Sequence, residues 1–82
     1  MEANNYWKKY EAFCHSLMES NKMDISIELR EAKALVNGLT DGWYGFLNRL
    51  KSIKKTFKDS LSNSESESLE KLIRALEENV KN

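Results

Sequence analysis

Apolar residues recur along this chain at steps of three and four, often doubled, and nowhere alternate in the one-in-two pattern of a strand. The first stripe is Tyr6, Trp7, Tyr10, Phe13, Cys14, Leu17 and Met18. It predicts a helix over about residues 5–20, with Asn4 or Asn5 as its N-cap. On a wheel of 3.6 residues per turn the stripe covers roughly 140°, a width that suits an element touching two neighbours or one with its edge exposed. A polar connection from Ser20 to Asp24 follows, and Asp24 is the expected N-cap of a second helix over about 25–37. Ile25, Leu29, Ala32, Leu35, Val36 and Leu39 form its apolar face. Ile27 falls opposite, to be covered by the preceding loop or partly exposed.

Asn37 and Gly38 end this second pattern, because glycine supplies a left-handed C-terminal cap without steric cost. Thr40 or Asp41 restarts the chain as an N-cap. A third helix is expected over about 42–61, with Trp43, Phe46, Leu47, Leu50, Ile53, Phe57 and Leu61 inward. Gly42 and Gly45 sit near its start, and each costs about 1 kcal/mol of helix propensity relative to alanine. The serine- and glutamate-rich stretch from Ser62 to Ser68 reads as a loop and a helix start. Ser62 with Glu65, and Ser64 with Glu67, have capping-box spacing. A fourth helix over about 65–81 puts Leu69, Leu72, Ile73, Leu76 and Val80 on one face. Its outer face offers Glu67–Lys71, Glu70–Arg74, Arg74–Glu78 and Glu77–Lys81 at i,i+4 spacing.

Four helices joined by short connections, each with one apolar stripe, predict an all-α fold: a small up-down four-helix bundle. The alternative is a three-helix core with the short second helix lying across it. With 82 residues, no proline and no linker-like segment, residues 1–82 are expected to form a single helical domain.

Composition narrows the function classes. Thirteen basic and thirteen acidic side chains cancel, which argues against a general nucleic-acid binder and against long-range steering of charged ligands. The single cysteine allows no internal disulfide. No apolar run approaches the roughly 20 residues of a membrane helix. The segment from Met1 to Leu17, carrying Glu2, Lys8, Lys9 and Glu11, lacks a signal-peptide core. These features predict a cytoplasmic protein with no membrane contact.

Candidate chemistry is sparse. His15 is expected to be exposed and without a partner, opposite the stripe that holds Cys14. Neighbouring residues do not face each other on a helix, so the two form no nucleophile–base pair. One histidine and one cysteine make no zinc site, and the carboxylates lack the Glu-x-x-His spacing of di-iron bundles. No catalytic residue, cofactor or metal is expected.

Two surfaces remain. One is a stripe on the third helix, Tyr44, Asn48, Lys51, Lys55 and Lys58, with Lys54 beside it. It either faces the acidic fourth helix or receives an acidic protein. The other is an aromatic end: if the first helix runs parallel to the third, Tyr6, Trp7 and Tyr10 meet Trp43 and Tyr44. Tryptophan and tyrosine dominate binding hot spots. The expected function is therefore a small non-catalytic protein-interaction module, with a second copy of the chain among the partners to test. The alternatives are a small-ligand or anion binder at the aromatic end, where Thr40, Asp41 and the N–H groups of Gly42 to Gly45 would serve, or weak nucleic-acid binding through the lysine stripe. The second helix, turn and third helix follow helix-turn-helix order. However, Lys33 and Asn37 stand where that motif buries apolar side chains, and no base-reading residue precedes Asn48 and Arg49.

Overall fold

The computed structural model describes residues 3–36 and 40–80. They form four helices, α1 (Ala3–Glu19), α2 (Met23–Lys33), α3 (Thr40–Thr56) and α4 (Asn63–Val80). Each packs against its neighbours in sequence, and α1 packs against α4 to close the ring. This is the four-helix bundle that the periodicity predicts. Cross-helix contacts give the directions. Tyr10 reaches Leu29 and Ser26 reaches Cys14, so α1 and α2 are antiparallel. Glu28 meets Arg49, and Leu35 meets Gly45, between α2 and α3. Lys51 meets Glu77, and Lys54 meets Glu70, between α3 and α4.

The core is the four stripes brought face to face. Tyr6, Tyr10, Phe13, Cys14 and Leu17 come from α1, and Ile25, Leu29 and Ala32 from α2. Phe46, Leu47, Leu50 and Ile53 come from α3, and Leu69, Leu72, Ile73 and Leu76 from α4. Trp7, Val36, Trp43 and Phe57 pack half-buried at the edges. Met18, expected inside, lies at the rim, and Ile27 is half-exposed. Ser26 is buried although polar, because its hydroxyl donates to the Cys14 carbonyl at 3.1 Å.

The helix ends depart from the sequence expectation. Helix α1 starts at Ala3, so Asn4 and Asn5 lie inside it. It ends on Asn21, which has φ 62°. The Lys22 N–H bonds the Leu17 carbonyl, and the Asn21 N–H bonds that of Met18, which is a Schellman ending with asparagine in the glycine role. Helix α2 starts at Met23 after Lys22, so Asp24 sits in its first turn and is not the cap. It stops at Lys33, four residues early, as Ala34, Leu35 and Val36 tighten into i→i+3 bonds. The expected cap at Asn37 and Gly38, and Leu39 of the predicted apolar face, lie outside the described residues. Thr40 and Asp41 are inside α3 rather than ahead of it.

Helix α3 stops at Thr56, where the chain turns through residues 57–60. Leu61 still reaches the core from beyond the helix end. Of the two capping-box candidates, Ser62 with Glu65 forms. The Glu65 N–H donates to Ser62 Oγ at 3.1 Å, and the Ser62 N–H donates to Glu65 Oε1 at 2.9 Å. The Val80 side chain, and Lys81 with its expected pairing to Glu77, lie outside the described residues.

Candidate functional site

The expectation that α1 and α3 bring their early aromatics to one end is met. The Trp7 and Trp43 rings stack with centroids 5.8 Å apart. Phe46 fills the space beneath them, 5.4 Å from Trp7 and 5.3 Å from Tyr10. Lys33 Nζ lies 4.8 Å above the Trp7 ring while pairing with Glu11 at 3.0 Å, a cation–π contact worth about 0.5–1 kcal/mol.

Burial divides the aromatic residues proposed as a binding surface. Tyr6 and Tyr10 belong to the core, 3% and 0% exposed, and so leave the surface. A tyrosine can enter a core when its hydroxyl finds an acceptor. Tyr6 donates to the Leu72 carbonyl at 3.1 Å and Tyr10 to the Leu29 carbonyl at 2.5 Å. Burial raises both phenols far above their ordinary range. Trp7 and Trp43 are half-buried against each other. Tyr44 alone of the proposed rings is largely outside, at 48% exposure.

The lysine stripe divides as well. Lys51 pairs with Glu77 at 3.1 Å, and Lys54 with Glu70. Lys55 and Lys58 are exposed and make no ion pair among the described residues. Glu70 also receives Arg74, and the Lys54 and Arg74 hydrogen bonds hold its carboxyl below the usual carboxylate range. The expected Glu67–Lys71 pair is not made. Tyr44, Asn48, Lys55 and Lys58 are exposed on the outer face of α3.

Reactive side chains are separated. Cys14 is fully buried, and desolvation, helped by the Glu11 charge, pushes its thiol up to about 11. Such a thiol is a poor nucleophile at neutral pH. His15 is exposed, as expected, but it is not alone, because its Nε2 lies 3.4 Å from Glu19. Among the described residues, no three His, Cys, Asp or Glu side chains gather to hold a metal ion. No helix among them is long and apolar enough to cross a membrane. The Thr40 and Asp41 side chains, on which the anion reading depended, lie outside the described residues.

Two features were missed at the sequence level. Leu35 is 44% exposed, because α2 ends before the turn that would carry it inward. The second feature is a groove of about 610 Å³ between α1 and α4. Its sequence signal was weak: Ala12, Ser16, Ser68 and Ala75 are small residues beside the apolar stripes. Compared with family models, curated proteins and solved structures, the chain matches none.

Proposed function

We propose that this chain is a small non-catalytic helical module that binds another protein through the outer face of α3. Tyr44, Asn48, Lys55 and Lys58 form the recognition surface, and the partner is acidic. The observation that carries the reading is the exposure of Tyr44, 48%, in line with two lysines that α4 leaves unneutralised. An amphipathic ring beside cations is the composition of a binding hot spot. Trp43 supports the surface from below through its stack with Trp7. The non-catalytic part draws support from a buried Cys14 and an exposed His15 that lies beside Glu19. A cytoplasmic site of action belongs to the same proposal and is supported by the lone cysteine.

The test is affinity capture with the wild-type chain and a Tyr44→Ala/Lys55→Glu variant. A protein retained by the first and lost by the second, with the helical spectrum unchanged, supports the surface. Equal capture by both contradicts it. Sedimentation over a wide concentration range decides whether a second copy is the partner, and a strict monomer removes that version. The nucleic-acid alternative gains no support, since Lys51 and Lys54 are already committed to Glu77 and Glu70.

A further inference from the structure

Three seams of the bundle are crossed by opposite charges. Arg30 and Lys33 meet Glu11 between α2 and α1. Arg49 meets Glu28 between α3 and α2. Lys51 and Lys54 meet Glu77 and Glu70 between α3 and α4. The α1–α4 seam differs. Along the groove no ion pair among the described residues joins these two helices, and each wall carries a cation instead, Lys9 on α1 and Lys71 on α4; the Lys22–Glu65 pair lies beyond the groove's end, where the chain leaves α1. Both lysines are exposed and neither has an ion pair among the described residues.

This seam is also the least closely packed of the four, and it opens as the groove of about 610 Å³. The walls are low because Ala12 and Ser16 face Ser68 and Ala75 across it. The floor is Tyr6, Phe13 and Leu72. Its polar atoms are already satisfied: the Tyr6 hydroxyl donates to the Leu72 carbonyl, and the described residues hold no buried side-chain polar atom without a partner. Apolar surface laid on this floor strands no hydrogen-bonding group. Along α1 the groove runs from Asn5 to Ser16, about 16 Å at 1.5 Å per residue.

We propose that the α1–α4 groove receives one amphipathic helix from a partner protein, with an apolar stripe on the floor and acidic residues along both edges. The charge geometry selects this occupant. Lys9 and Lys71 lie on opposite walls, each within the length of the groove rather than at its end, so they flank an occupant on both sides. A lipid-like carboxylate places its single charge at one end. A helix of about three turns matches the groove's length, and helix-in-groove docking reads such an apolar stripe through i, i+3 and i+4 anchors. This surface is separate from the outer face of α3.

The test uses a stapled helical peptide with a Leu–Ala stripe edged by glutamates, a counterpart with lysines in their place, and dodecanoate. Binding is followed by amide chemical shifts of the full chain. The expected result is that the acidic peptide binds, with shifts centred on Ala12, Ser16, Ser68 and Ala75, and that the lysine peptide binds at least about tenfold more weakly. Lys9→Glu/Lys71→Glu should reverse this preference while leaving capture that depends on Tyr44 unchanged. Ala12→Leu, which fills the groove without altering charge, should abolish binding. Absence of binding, equal binding of both peptides, or shifts centred on Tyr44 and Asn48 would overturn the proposal. So would dodecanoate moving the groove amides when neither peptide does.

Discussion

The Tyr10 hydroxyl donates to the Leu29 backbone carbonyl at 2.5 Å, and the ring that carries it is fully buried between α1 and α2. The Tyr6 hydroxyl makes the same kind of bond to Leu72 on the other side of α1. One helix is thus fixed to both its neighbours by phenol-to-carbonyl bonds inside the core. Tyr10→Phe and Tyr6→Phe should each cost about 1–2 kcal/mol, the loss of a buried hydrogen bond with little change in shape. Urea unfolding of the two variants measures this. A neutral effect at both positions would mean that the hydroxyls are incidental.

Gly45 should be a site of gain. A Cβ built there meets Leu35 Cδ1 at 3.9 Å, an ordinary van der Waals contact. The residue lies in the second turn of α3, where glycine carries its full propensity cost. Gly45→Ala is expected to stabilise the fold by about 0.5–1 kcal/mol, read as a midpoint raised by a few degrees. A lowered midpoint would show that Leu35 needs the space that a side chain at position 45 would take.

The start of α4 should respond to both mutation and acid. Ser62→Ala removes half of the capping box and should cost about 1 kcal/mol. Burial alone would raise the Glu65 carboxyl, but the Lys22 hydrogen bond and charge, with the bonds to Ser62, outweigh it and hold the group below its usual range. Glu70 is lowered by Lys54 and Arg74. For groups depressed on folding, the stabilisation is complete above the unfolded value, about 4.3, and is lost as pH falls through the lower folded value. Thermal midpoints should therefore drop below about pH 4. Glu65→Gln, which keeps the box but does not titrate, should flatten that drop.

The inward stripes were legible because each repeats over three or more turns, so one misplaced residue hardly moves the face. Tyr10, Phe46, Leu50 and Leu76 could be assigned to the core from spacing alone. Helix ends were less legible, because they depend on single backbone bonds. Asn21 in the left-handed region and Ala34 in an i→i+3 turn carry no periodic signal. The site was half legible. Spacing brought Trp7 to Trp43, but it could not show that Leu72 and Leu29 offer carbonyls to the two tyrosines, since those partners lie 66 and 19 residues away. The same distance problem hid the pairing of Lys51 with Glu77 and the unneutralised Lys9 and Lys71.

Cys14 gives a direct reading of core integrity. With its thiol fully buried and raised to about 11 by desolvation and the Glu11 charge, it should resist thiol reagents at neutral pH in the folded chain. It should react as soon as urea unfolds the protein, so that the labelling rate follows unfolding. Fast labelling of the native protein would contradict the placement of α1 against α2.

Recognition of a protein by the outer face of α3, as proposed above, can be read by site-specific photo-crosslinking in the native cell. A photoreactive phenylalanine analogue is placed at Tyr44 or Asn48, with Glu31 on α2 as the control position. One discrete adduct of defined mass is expected from positions 44 and 48, and none from position 31. An adduct from position 31 with none from 44 or 48 would contradict it.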